Sequence, residues 1–139
     1  MTFKNCICFQ LGKTQKKITR KYREKISDLD LTHGQFFMLI ALYEDDGVLP
    51  SVLAEKTCQD RATTTGLIDR LERDGWIERK PSNRDRRTLG IHLSAKAQQF
   101  KEEILKIFEG VNSTFTSLFT IEEWQTFMGF LDKLDIVEK

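Results

Sequence analysis

The sequence predicts a mainly α-helical chain with a small β-wing: a winged helix-turn-helix carried between long N- and C-terminal helices. Three observations point to it. Residues 53–57 and 60–75 read as two helices with only a turn between them. Directly after Gly75, two short strand-favouring runs flank an arginine-rich loop. Toward both ends of the chain, apolar residues recur mostly at three and four positions, the helical period. The expected order is helix, helix, strand, helix, helix, strand, strand, helix, helix.

The first helix is expected over residues 5–29, with Ile7, Leu11, Ile18, Tyr22, Ile26 and Leu29 as its apolar stripe. Thr32-His33-Gly34-Gln35 is a capping box that opens the second helix, which runs to about Tyr43 and has little polar face. Glu44-Asp45-Asp46-Gly47 closes it as a turn, and Val48-Leu49 is a short strand. Ser51 is the expected cap of the third helix, with Val52, Leu53 and Ala54 packing inward. Thr57-Cys58-Gln59 is the turn, and Asp60 caps the fourth helix, whose inward residues are read as Ala62, Leu67, Ile68 and Leu71. Gly75 suits the left-handed position past a helix end. Trp76-Ile77-Glu78-Arg79 and the run 88–93 pair as strands around a turn at Pro81-Ser82-Asn83. Ser94 caps a further helix with Ala97, Phe100, Ile104 and Val111 on one side. Thr120-Ile121-Glu122-Glu123 is a second capping box, opening a helix that carries Trp124, Phe127, Met128, Leu131 and Leu134.

At 139 residues the chain is expected to form one domain. Its 40% hydrophobic and 31% charged residues fit a soluble globular protein. No apolar run approaches the roughly 18 residues of a membrane span, and the N-terminus lacks a signal-peptide pattern. A cytoplasmic location and no membrane partner are therefore expected. Three cysteines are too few and too odd in number for a disulfide scaffold. Two histidines and a Cys-x-Cys form no metal-ligand set, so no metal or cofactor is expected. There is no glycine-rich phosphate loop, paired-carboxylate motif or Cys-His-Asp array, which argues against an enzyme.

Net charge is only +1, but it is unevenly placed. Residues 1–26 hold eight Lys/Arg against one Glu, whereas residues 27–60 hold seven acids against one Lys. The wing region 76–93 holds five Lys/Arg against two acids. Basic blocks on selected faces suit contact with phosphate. Arg61, Thr63, Thr64, Thr65 and Arg70 lie outside the fourth helix's expected inward set. Three successive threonines are poor helix formers, so another role favours them, and short hydroxyl side chains can bond phosphates or base edges. In the loop, Arg84, Arg86 and Arg87 surround Asp85 alone, leaving guanidinium groups for an anionic partner. Double-stranded DNA is the expected partner.

Residues 53–93 resemble the MarR family of transcription regulators. The resemblance lies in Leu53-Ala54-Glu55, the threonine-rich helix, Leu71-Glu72-Arg73-Asp74-Gly75-Trp76-Ile77-Glu78-Arg79, and Asp85-Arg86-Arg87 leading to His92-Leu93-Ser94. The flanking helices also suit that family. The resemblance implies a single domain over 1–139, with dimerisation helices at 1–31 and 112–139 and a winged helix-turn-helix lobe with connecting helix at 32–111. It implies a homodimer, for which Ile7, Leu11, Trp124, Phe127 and Leu131 are interface candidates. It implies a pseudo-palindromic operator with half-sites one helical turn apart, about 10 base pairs. Arg87 would then reach the minor groove, Asp85 would hold it, and Arg84 and Arg86 would touch phosphates. Such proteins usually repress, releasing DNA on a phenolic or aromatic-acid ligand or an oxidant.

For a small aromatic ligand, Lys17, Arg20, His33 and Phe36 are the candidates, supplying a cationic edge and an aromatic wall. For an oxidant, Cys8 is the candidate. Cys8, Phe9, Thr19, Tyr22, Leu29, Leu31, Thr32, Gln35 and Phe36 align with the first helix of organic-hydroperoxide sensors. Tyr22 matches one thiol-associated tyrosine, while Gly12 stands where a second is expected. Two competing functions remain: a thiol-based peroxide-reactive protein using Cys8, and a winged helix that binds protein.

Overall fold

A computed structural model describes residues 1–136 of the chain. Its order is α1 (Ile7–Ile26), α2 (His33–Glu44), α3 (Pro50–Lys56), α4 (Arg61–Arg73), β1 (Ile77–Pro81), β2 (Leu89–Leu93), α5 (Ala95–Gln99), α6 (Lys101–Thr116) and α7 (Ile121–Asp135). The helical period at both ends and the winged segment in the middle appear as expected. Several boundaries differ, each for a physical reason.

The first helix is shorter than 5–29. It ends at Ile26, passes through a 3-10 turn at Ser27–Leu29, and reverses at Asp30 with φ +54°. The third helix is capped from Leu49 rather than Ser51, because Pro50 at its first position has no N–H to satisfy. Val48 forms a single antiparallel bridge to Ile91, not a strand. The helix after Ser94 is divided at Phe100. There the Tyr43 hydroxyl donates to the Ala97 carbonyl at 2.5 Å, taking the acceptor that an unbroken helix gives to Lys101 N–H. Burial pushes the Tyr43 hydroxyl up to about 12, so it stays a donor through the physiological range.

Both capping boxes are present: Thr32 with Gln35, and Thr120 with Glu123, each with reciprocal bonds. Buried α2 is the hub of the core. Phe36, Met38, Leu39 and Leu42 are fully enclosed there. Tyr22 and Ile26 cover it from α1, Leu53 from α3, Leu67, Ile68 and Leu71 from α4, and Ile104 and Val111 from α6. Trp76 is buried against Phe100, ring centroids 5.5 Å apart, with the Lys96 ammonium 4.3 Å above its ring. These contacts fix the start of the wing to the helix that follows it.

The wing is a two-stranded antiparallel hairpin in the register Ile77↔Leu93, Arg79↔Ile91, Pro81↔Leu89. Pro81 is thus the last strand residue rather than part of the turn. The base of the hairpin is pinned to the turn after α2. Asp46 accepts the Leu93 N–H at 2.8 Å, and Gly47 lies so close to Gly90 that a β-carbon on Gly90 would meet the Gly47 carbonyl oxygen at 2.5 Å.

Candidate nucleic-acid interface

The helix-turn-helix is built from local bonds. The Thr57 hydroxyl donates to the Leu53 carbonyl at 2.8 Å and ends α3. Cys58 takes φ +54°, a left-handed conformation uncommon for a residue other than glycine, and turns the chain. Asp60 then caps α4. It accepts the Thr63 N–H at 2.7 Å and the Thr63 hydroxyl at 3.1 Å. These two bonds, the backbone one first, hold the Asp60 carboxyl below the usual carboxylate range.

Along α4 the buried residues are Thr64, Leu67, Ile68 and Leu71, a strict helical stripe. Three expectations are corrected. Thr64 is 1% exposed and its hydroxyl donates to the Asp60 carbonyl at 2.8 Å, so it faces the core rather than an outside partner. Ala62, read as inward, is exposed, as is Val52 of α3. Spacing explains the two in α4: 64, 67, 68 and 71 share one side, whereas 62 lies across the helix from it. Arg61, Thr63, Thr65 and Arg70 are exposed. The Arg70 Nε donates to the Gly66 carbonyl at 3.2 Å. An open cleft of about 440 Å³ separates α3 and α4 from the wing, and Arg61, Thr65, Thr88 and Leu89 line it together.

Asp85 organises the wing tip. Its Oδ1 accepts both the Arg87 backbone N–H at 3.0 Å and the Arg87 Nε at 3.1 Å, while its carbonyl accepts the Thr88 hydroxyl at 3.0 Å. The Arg87 amide, then its guanidinium, holds the Asp85 carboxyl below the usual range. Arg87 is tethered at Nε, yet its side chain is 90% exposed. Arg84 and Arg86 are also exposed, and neither is ion-paired among the described residues. Ser82 N–H bonds the Thr88 carbonyl at 2.8 Å and closes the loop beneath them.

The four ligand candidates do not converge within the protomer. Phe36 is fully buried between Tyr22 and Phe37, which makes it core rather than a pocket wall. Lys17 and Arg20 are exposed on α1 and do not line the groove that His33 borders. His33 packs on Phe37, centroids 4.7 Å apart, and burial, then the Arg23 charge, lowers its proton affinity. It borders an open groove of about 440 Å³ with Gln15, Phe37, Lys56 and Gln59. The Gln59 Oε1 there is buried without a partner in the protein. Phe37 follows Phe36 on the same helix, and only the phase of burial along α2 distinguishes them.

Cys8 is exposed in the first turn of α1, after Cys6 at the cap position. The Tyr22 hydroxyl donates to the Phe108 carbonyl at 3.5 Å, so within the protomer it serves α6 rather than Cys8. Ile7, Leu11 and Phe127 are exposed at 57%, 43% and 37%, and Trp124 and Leu131 are half-buried. Phe119 and Phe127 stack at 5.8 Å with Trp124 beside them. No helix among the described residues is long and apolar enough to cross a membrane.

A helix-turn-helix with exposed threonines and arginines on its second helix, joined to an arginine-tipped wing, defines a winged-helix DNA-binding protein. The MarR family model matches residues 31–89. The organic hydroperoxide resistance transcriptional regulator of Bacillus subtilis is 29% identical over 107 residues, covering 77% of this chain and 73% of the relative. A mutant Escherichia coli MarR solved with operator DNA is 25% identical, with a TM-score of 0.78 over 90% of each chain. Staphylococcus aureus MepR, solved in a DNA complex, shares the fold at a TM-score of 0.89 and 21% identity, over 99% of this chain and 100% of that one. These similarities support a DNA-binding transcriptional regulator of the MarR type.

Proposed function

We propose that this regulator acts as a homodimeric repressor of a pseudo-palindromic operator. In this reading α4 enters the major groove and offers Arg61, Thr63, Thr65 and Arg70. The wing follows the backbone, with Arg84 and Arg86 on phosphates and Arg87 in the adjacent minor groove. The observation that carries it is the tip geometry: the Asp85 carboxylate holds Arg87 through Nε at 3.1 Å and Nη2 at 3.5 Å, while the Arg87 side chain stays 90% exposed. An arginine held in advance loses less freedom on contact than a free one. The dimer would be built by residues 1–31 and 112–139, where Ile7, Leu11 and Phe127 are open.

Selection of duplexes from a random pool tests the reading. The recovered sequences are expected to form an inverted repeat with half-site centres about 10 base pairs apart. Log affinity should fall with log salt at about −0.9 per phosphate contacted. Recovery without a symmetric repeat would overturn the operator assignment.

The release signal is read as an oxidant acting at Cys8. Its exposed place in the first turn of α1, beside a helix expected to join the dimer, supports this reading. The named role of the Bacillus subtilis relative points the same way. Cumene hydroperoxide is expected to release DNA from the wild type but not from Cys8→Ser. Release that persists in Cys8→Ser rules Cys8 out. It would favour a small aromatic ligand in the groove beside His33 and Phe37.

A further inference from the structure

Residues 61–75 hold three arginines against two aspartates and one glutamate, so the DNA-facing helix and the turn that ends it are together neutral as a sequence. Where its acids go decides the field it presents. Asp74 is paired with Arg73 at 3.2 Å. Asp69 and Glu72 both bond Arg79, which comes from β1. Its Nη2 donates to Asp69 Oδ1 at 2.6 Å and its Nη1 to Glu72 Oε1. The Arg79 side chain is only 26% exposed, whereas Asp69 is 61% exposed. Asp69 lies one turn beyond Thr65, on the same side of α4. One planar guanidinium thus spans two carboxylates at the edge of the face that meets DNA. With those acids occupied, Arg61 and Arg70 have no ion pair among the described residues.

We propose that Arg79 is a charge-shielding residue for DNA binding. It does not touch DNA; it cancels Asp69 and Glu72, whose charge would otherwise repel the phosphates lying along α4. The inference rests on the reading that α4 and the wing bind duplex DNA. It assigns to a strand residue outside that contact surface part of the control over the field of the recognition helix.

The test uses the full-length protein and a duplex selected by the wild type from a random pool. Arg79→Gln is expected to bind it about tenfold more weakly. Adding Asp69→Asn and Glu72→Gln to Arg79→Gln should restore affinity to within about threefold of wild type, because nothing is left to shield. With Arg79 kept, the Asp69→Asn/Glu72→Gln pair should bind at least as tightly as wild type. A mechanical clamp behaves oppositely: removing the carboxylates would loosen the strand, weaken binding and give no rescue. Wild-type affinity in Arg79→Gln, absence of rescue, or weakened binding by the Asn/Gln pair overturns the proposal. If Arg79→Gln fails to fold, the Asn/Gln pair alone decides. If the wild type retains no duplex, the DNA-binding reading falls and this proposal with it; if the wild type binds and rescue fails, only this proposal falls.

Discussion

Asp60 serves Thr63 twice, through the backbone amide and the hydroxyl, and offers its own carbonyl to Thr64. One residue thereby starts the helix and sorts two adjacent threonines, one outward and one inward. Its acidity carries a pH signature. The folded carboxyl lies below its ordinary value, so its stabilising contribution is present above about pH 4 and is lost as pH falls through the lower folded value. Asparagine also caps but does not titrate. Asp60→Asn should therefore show a Tm slightly below wild type at pH 7, with the gap closing toward pH 3. Melting curves across that range check it, and a gap that stays constant with pH would mean that the cap charge contributes nothing. Asp85 at the wing tip follows the same sign: acid that protonates it should free Arg87 from its tether.

At the scale of elements, the wing depends on a close backbone approach that no side chain advertises. Gly90 lies against the Gly47 carbonyl, and a β-carbon there would meet that oxygen at 2.5 Å and the Ser82 Cα at 3.1 Å. Both obstacles are backbone atoms. Gly90→Ala is expected to destabilise the fold by about 1–3 kcal/mol, measured by denaturant unfolding; a loss below about 0.5 kcal/mol would show that the turn after α2 yields. The sequence makes some of this plain and hides the rest. The capping boxes at Thr32 and Thr120 are legible because cap and partner lie three residues apart. The arginine tip is legible because it is a local charge pattern. Thr64 is not legible from residue type: a hydroxyl suggests the surface, whereas helical phase puts 64, 67, 68 and 71 on one buried side. The division at Phe100 follows from a Tyr43 bond 54 residues away in the chain, and the Arg79 fork joins residues seven and ten apart across two elements. Pairings of that kind depend on how elements pack and leave no local pattern to read.

For the whole molecule, the balance of charge and apolar surface divides the labour. The described chain keeps Ile7, Leu11, Phe127, Phe130 and Leu134 open at its two ends, far more apolar exposure than the winged lobe carries. Burial of that surface in a second copy would set the spacing of two α4 helices. Phe127→Glu with Leu131→Glu should therefore yield a monomer in analytical ultracentrifugation and weaken binding to a two-half-site duplex by about a hundredfold or more, while a single half-site is bound with little change. A variant that stays dimeric would move the interface elsewhere. The contribution of the wing is read from the affinity of Arg87→Ala for a duplex selected by the wild type, with Tm measured in parallel. A loss of about 1–3 kcal/mol, roughly 5- to 150-fold, with an unchanged Tm is the predicted result. Affinity within about twofold of wild type would contradict it.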